Sequence, residues 1–137
     1  MKLRIALLSL SGLAVMASAA PVTHPVTITL DYDAGAKVCF VKTVDPMSFD
    51  ADAGDKVDWS ATDASTQCGN RAVNLANFKI KGSGVAKDPV PGCKKDITSG
   101  GPAIKCTINN AAKGDTFKHD VVVPGGRGMD PEIRIRN

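Results

Sequence analysis

Apolar and polar residues alternate along most of the chain, which is the pattern of half-buried β-strands. Every second residue is apolar in four segments: 26–32, 56–62, 103–108 and 131–136. In residues 115–123, His119 lies in phase with Phe117 and Val121, and residues 37–44 are rich in β-branched side chains. Residues 71–80 fit a strand that ends in Phe78 and Ile80. Turn-forming clusters separate these runs: 33–35, 53–55, 113–115 and 125–128.

The pattern predicts an all-β Greek-key sandwich of about seven to eight short strands, with little helix. The phase of the alternation also predicts which side chains face the core. The inward set is Val26, Ile28, Leu30, Tyr32, Val57, Trp59, Ile104, Cys106, Ile108, Phe117, Val121, Val123, Ile133 and Ile135.

The first nineteen residues have the composition of a signal peptide. Lys2 and Arg4 precede an almost entirely apolar run, residues 5–16, and Ala17-Ser18-Ala19 supplies the small-x-small cleavage pattern. A run of this length is too short to cross a membrane, which needs about 20 residues. We therefore expect residues 1–19 to be removed, leaving residues 20–137 as one domain that does not insert into the membrane.

Removal of the leader brings the net charge of the chain close to zero. Without Lys2 and Arg4 the seventeen basic residues become fifteen, against fourteen acidic ones. A chain so close to neutral lacks the concentrated basic surface that a phosphate backbone requires, so nucleic acid is not an expected partner.

Four cysteines remain after the leader: Cys39, Cys68, Cys93 and Cys106. An even number in a short exported chain predicts two disulfides. Three pairings are possible and the sequence does not decide between them. We favour Cys39–Cys68 with Cys93–Cys106, because the second pair closes a short loop rich in glycine and proline. No CxxC spacing is present, so a zinc site or a thioredoxin-type redox role is not expected.

Residues 81–102 do not fit the strand pattern and predict a long connection without regular structure. Connections of this length are often functional. The segment is rich in glycine, proline and lysine, and Cys93 is expected to restrain its middle. Its lysines are the predicted partner surface: Lys81, Lys87, Lys94 and Lys95. A solvated loop held by a disulfide is the alternative.

Three segments together resemble the cupredoxin family, small sandwiches of the plastocyanin and azurin type: AGDKVDWSAT (53–62), GDTFKHDVVV (114–123) and DPEIRIRN (130–137). The resemblance implies a cupredoxin- or Ig-like sandwich. A blue-copper centre needs two histidines, a cysteine and a weak methionine. The corresponding segment here, residues 124–131, contains Met129 but neither cysteine nor histidine. The chain therefore resembles members of the family that lack the copper-ligand loop.

A looser copper site would have to use His24, His119, Met47 and Met129. Chance placement of these side chains explains them equally well. For His119 we expect a partly buried ring that is hydrogen-bonded to a neighbour, as buried imidazoles usually are.

Other chemistry has little support. Asp50, Asp52, Asp55 and Asp58 lie close together, as calcium ligands would, but the glycine and glutamate of an EF-hand loop are missing at positions 55 and 61. A polar turn is the alternative. No GxSxG motif or phosphate-binding loop is present, so we do not expect an enzyme.

The sequence thus predicts an exported, monomeric, non-catalytic binding module of the cell envelope, periplasmic or secreted, without a cofactor. Its partner would be an unknown protein or an envelope component. The alternative is a copper-handling relative of the cupredoxins that uses His119 and Met129.

Overall fold

The computed structural model describes residues 20–136, so the predicted signal peptide lies outside the described residues. These residues form nine strands and one short 3₁₀ turn, Asn110–Ala112. The strands are β1 (Thr23–Asp33), β2 (Val38–Asp45), β3 (Ser48–Asp52), β4 (Lys56–Asp63), β5 (Ala72–Ile80), β6 (Asp96–Thr98), β7 (Ile104–Thr107), β8 (Thr116–Val122) and β9 (Glu132–Arg136). No helix in this part of the chain is long and apolar enough to cross a membrane.

The strands form two sheets, which confirms the predicted all-β sandwich. One sheet has the order β2-β1-β4-β7 and the other the order β3-β9-β8-β5-β6. β1 pairs in parallel with β4, and β3 pairs in parallel with β9. The remaining pairs are antiparallel. The chain leaves the first sheet at Asp45 and enters the second at Ser48.

Two of the nine strands, β3 and β6, were not predicted. β3 lies in the aspartate-rich segment that was interpreted as a polar turn, and Ala51 is fully buried there. β6 lies within residues 81–102, where a connection without regular structure was predicted. That prediction is wrong in part, because Ile97 of β6 and Val90 before it are both buried in the core.

The core fills the space between the sheets, as the alternation predicted. Trp59 of the first sheet and Phe117 of the second are both fully buried. Tyr32 and Ile104 were also predicted to face inward, but they are only partly buried against this core. Burial of a phenylalanine side chain contributes roughly 2–3 kcal/mol to folding. Removal of this apolar surface from water is therefore the main force that holds the sheets together.

Two disulfides join the sheets to their connections, and the favoured pairing is confirmed. Cys39 in β2 is bonded to Cys68 in the β4–β5 connection, with 5.9 Å between their Cα atoms. Cys93 in the β5–β6 connection is bonded to Cys106 in β7, with a Cα distance of 5.7 Å. Disulfides persist in oxidising compartments, so the two bonds indicate a location outside the cytoplasm.

Candidate functional site

A cleft lies at one end of the sandwich, between two segments that are distant in sequence. The β1–β2 turn and the β8–β9 connection meet there, because the backbone N–H of Val41 donates to the carbonyl oxygen of Arg127 at 2.9 Å. The cleft has a volume of about 490 Å³. We call it the arginine cleft; its lining residues are Asp33, Ala36, Val38, Phe40, Gly125, Gly126 and Arg127. Its volume falls in the range typical of ligand-binding pockets, about 300–1,000 Å³.

Arg127 forms one wall of this cleft. Its guanidinium carbon lies 4.8 Å from the centroid of the Phe40 ring, a distance that allows a cation–π interaction. Two other arginines of the described chain, Arg134 and Arg136, form ion pairs with aspartates of β3. Arg127 has no carboxylate within ion-pair distance among residues 20–136. Its charge is therefore positioned by an aromatic ring and left available for an anion.

Gly126 lets the β8–β9 connection approach β2 closely. A Cβ atom at this position would overlap the carbonyl oxygen of Cys39. Only glycine can therefore occupy the position without moving the backbone. The N–H of Gly126 also donates to the carbonyl oxygen of Val123 at 3.0 Å. Backbone contact thus fixes the base of the arginine cleft.

Asp33 adds a carboxylate to the lining of the cleft. Its Oδ1 accepts the N–H groups of Gly35 at 2.9 Å and Ala36 at 3.0 Å, which closes the β1–β2 turn. Its Oδ2 accepts no hydrogen bond from the described residues. The cleft therefore offers one cation and one carboxylate oxygen that are not satisfied by the protein.

A smaller cavity of about 110 Å³ adjoins the arginine cleft and shares Val38 with it. Its lining adds two cations, Lys37 and Arg71. Arg71, like Arg127, makes no ion pair within the described chain. Lys37 has a φ of 57°, the left-handed conformation that the tight β1–β2 turn requires. Three cations and one carboxylate thus line the two cavities.

The Cys39–Cys68 disulfide and a turn around Asp63 hold this end of the sandwich. Asp63 accepts the N–H of Cys68 at 2.8 Å and the hydroxyl of Ser65 at 2.7 Å. Burial opposes ionisation of Asp63, but the hydrogen bonds from Ser65 and Cys68 outweigh it and lower its pKa. These contacts hold the β4–β5 connection against Cys39, which lines the smaller cavity beside the cleft.

Most lysines of the predicted partner surface are engaged within the protein. Lys81 pairs with Glu132 at 2.8 Å, Lys87 with Asp115 at 2.8 Å, and Lys95 with Asp88 at 2.9 Å. The hydrogen bond from Lys81 lowers the pKa of Glu132. Lys95 also donates to the carbonyl oxygens of Val90 and Cys93. Of the four lysines only Lys94 makes no ion pair among residues 20–136, so the segment presents less free charge than its composition suggests.

His119 is buried in the core, and the predicted hydrogen bond is absent. The residue is 1% exposed, and neither ring nitrogen has a hydrogen-bond partner in the described chain. The ring stacks on Phe78 with 4.5 Å between centroids and meets the edge of Trp59 at 6.1 Å. Burial lowers the pKa of His119 to about 4, although Asp130 and Asp120 oppose the shift. The neutral imidazole packs as an aromatic core residue, which corrects the expected hydrogen-bonded ring.

The other candidate copper ligands lie in different environments. His24 stacks on Phe49 with 5.3 Å between ring centroids, and its Nε2 lies 2.8 Å from Asp55 Oδ2. Met129 is partly buried opposite Val121, and Met47 is exposed before β3. The structure therefore does not gather the two histidines and two methionines around one point.

The four aspartates of the calcium hypothesis also have separate surroundings. Asp50 pairs with Arg134, and Asp52 with Arg136 at 3.3 Å. Asp55 is buried beside His24, whereas Asp58 lies on β4 opposite Lys105. Within residues 20–136, no group of three or more His, Cys, Asp or Glu side chains is placed to hold a metal ion.

Comparison with models of known protein families finds no match, and comparison with curated protein sequences finds no significant match either.

The arginine cleft was not predicted from the sequence. Both of its segments, 33–35 and 125–128, were recognised as turns, but nothing in either indicates that they meet. The sequence feature that could have indicated the cleft is the motif Gly-Gly-Arg-Gly at 125–128, in which one cation lies among glycines that allow close backbone contacts.

Proposed function

We propose that this protein is an exported, non-catalytic binding module of the cell envelope that captures its ligand in the arginine cleft. The observation that carries the proposal is a cavity of about 490 Å³ lined by Arg127, which has no ion-pair partner within the described chain and lies over the Phe40 ring. Arginine is enriched among the residues that contribute most to binding at protein surfaces.

The arginine cleft has more support as the binding surface than residues 81–102 do. Three of the four lysines in that segment are held by Glu132, Asp115 and Asp88. Their charges are partly compensated inside the protein, by surface ion pairs worth up to about 1 kcal/mol each. Arg127 has no such compensating carboxylate within the described chain.

Export is supported by the leader-like composition of residues 1–19 and by the two disulfides. A periplasmic or secreted location follows from this proposal. A distant relationship to the cupredoxins is supported by two facing sheets that each contain one parallel strand pair. The copper-handling alternative has less support, because His119 is enclosed by Phe78 and Trp59 while His24 is bound to Asp55.

The proposal is tested by retention of the purified protein on the insoluble envelope fraction of the cells that make it. Ala36 is exposed and lines the cleft, so Ala36→Trp fills the cavity without entering the core. Ala111 is an exposed alanine of the 3₁₀ turn and lines neither cavity, so Ala111→Trp adds the same surface elsewhere.

We expect the native protein and Ala111→Trp to be retained and Ala36→Trp to be lost, with equal thermal midpoints for all three. Equal retention of both tryptophan variants, or no retention of the native protein, contradicts the proposal.

A further inference from the structure

We infer that the ligand of the arginine cleft is an acidic carbohydrate, a chain of sugar units that carry carboxylates. The inference rests on the proposed function, since it names the ligand class of the same cleft.

A carboxylate matches the cationic side of the cleft. The planar guanidinium binds a carboxylate through two parallel hydrogen bonds. The guanidinium carbon of the exposed Arg127 lies 4.8 Å from the centroid of the Phe40 ring, and this contact restricts its position before a ligand binds. Arg127 therefore suits a planar anion such as a carboxylate.

The carboxylate of Asp33 requires a second feature in the ligand. Its Oδ1 is used by the β1–β2 turn, while Oδ2 accepts nothing from the described residues. A polyphosphate carries a negative charge on every unit and has no hydroxyl group to donate to this oxygen. A hydroxyl group donates to it. A sugar acid carries both a carboxylate and hydroxyl groups on one ring, so it satisfies Arg127 and Asp33 together.

The neighbouring cavity favours a chain over a single sugar. It shares Val38 with the arginine cleft and adds Lys37 and Arg71, neither of which forms an ion pair within the described chain. A ligand that extends past Val38 would bring a second carboxylate to these cations. A polymer with a carboxylate on each unit could supply one to each cavity.

The backbone at the cleft disfavours an acidic peptide. Extended peptides usually bind by pairing with a free strand edge. Beside the cleft, the β8–β9 connection covers part of the edge of β2: the N–H of Val41 donates to the carbonyl oxygen of Arg127, and Gly126 lies against the carbonyl oxygen of Cys39. Recognition at this place is left to side chains, which suits a carbohydrate better.

The experiment is calorimetric titration of the purified, disulfide-bonded protein with α-1,4-linked tetragalacturonate. The same tetramer with all carboxylates methyl-esterified is the ligand control, and tetraglutamate tests the peptide class. The variants are Arg127→Gln, Asp33→Asn and, as a matched control remote from the cleft, Arg136→Gln. Asp33→Asn keeps an oxygen for the two turn hydrogen bonds, so it removes the charge with little effect on the turn.

We expect saturable binding of tetragalacturonate that Arg127→Gln weakens by about tenfold or more, the effect of losing a hydrogen-bonded charge pair. Esterification should weaken binding to a similar degree, Asp33→Asn should weaken it less, and Arg136→Gln should leave it unchanged. Absence of binding, or equal affinity in Arg127→Gln and the native protein, overturns the inference. Tighter binding of tetraglutamate than of tetragalacturonate also overturns it, in favour of an acidic peptide.

The two proposals can fail separately. Loss of envelope retention in Ala36→Trp, without binding of tetragalacturonate, keeps the cleft as the binding surface and rejects the carbohydrate. Equal retention of Ala36→Trp and Ala111→Trp rejects the cleft itself.

Discussion

His24 Nε2 lies 2.8 Å from Asp55 Oδ2, so the first strand is fastened to the start of the fourth by a nearly buried carboxylate. Asp55 Oδ1 accepts the N–H of Val22 at 3.0 Å, and Oδ2 also accepts the N–H of Asp52 at 3.0 Å. Burial opposes ionisation of Asp55, but the hydrogen bonds from His24, Asp52 and Val22 outweigh it and lower its pKa. Asp55 therefore acts as an anionic acceptor that orders this end of the sandwich.

Replacement of this carboxylate should be costly. Asp55→Ala leaves the His24 ring and two backbone N–H groups without an acceptor, and we expect the free energy of unfolding to fall by about 2 kcal/mol or more. The measurement is urea-induced unfolding at pH 7. Asp50→Ala is the control, because Asp50 is 46% exposed and pairs with an exposed Arg134. It should shift the midpoint only slightly. Equal effects of the two substitutions would show that Asp55 is not a structural acceptor.

The buried His119 should make stability depend on pH. Its pKa is about 4 in the folded protein, against an ordinary value of 6.5. Between these values the unfolded chain binds a proton that the folded protein excludes, so stability is complete above pH 6.5 and falls as the pH approaches 4. A full difference of this size corresponds to about 3 kcal/mol.

His119→Phe removes the titrating group and keeps an aromatic ring against Phe78. We expect it to flatten the dependence of unfolding free energy on pH between 4 and 6.5. Carboxylates with lowered pKa, such as Asp55, act mainly below this window. An unchanged slope in His119→Phe would assign the dependence to other groups.

Gly126 should tolerate no side chain. In Gly126→Ala the new Cβ overlaps the carbonyl oxygen of Cys39, and we expect a loss of about 2 kcal/mol or more in stability. Gly69→Ala is the matched control, because a Cβ there has no atom within 4 Å. It should change stability by less than about 0.5 kcal/mol. Thermal unfolding of both variants checks this, and similar midpoints would refute the close approach of the β8–β9 connection to β2.

Each disulfide should stabilise the fold by restricting the unfolded chain. The bonded cysteines are 13 residues apart in Cys93–Cys106 and 29 apart in Cys39–Cys68. Loops of this size correspond to about 3–4 kcal/mol in the chain-entropy description. The double variant Cys93→Ala/Cys106→Ala should therefore unfold at a clearly lower temperature than the oxidised native protein. Excess reductant should remove most of that difference, and a difference that persists would mean that packing of the sulfur atoms is responsible.

The alternation of side chains was sufficient to predict seven strands and twelve of the twenty-four apolar residues buried in the core of the described chain. Strand β3 was not predicted because Phe49 and Ala51 are its only apolar residues and its aspartates resemble those of a turn. The environment of His119 could not be predicted either, since its phase specifies burial but not whether a neighbour supplies a hydrogen bond.

The arginine cleft could not be predicted from the sequence for a different reason. Arg127 and Phe40 are far apart in the sequence, and their contact depends on the close approach that Gly126 allows. Local patterns specify turns, whereas the meeting of two turns depends on how the sheets pair. The disulfide pairing could be predicted because Cys93 and Cys106 enclose a short loop, which favoured the bond between them.

The position of β9 has a consequence for the order of folding. β9, the last strand of the described residues, lies inside its sheet, between β3 and β8. β3 pairs with a strand that is distant in the sequence, since Asp50 of β3 and its partner Arg134 of β9 are 84 residues apart. Pairings this distant form slowly. Closure of the second sheet therefore depends on β9, and we expect it to be a late step of folding.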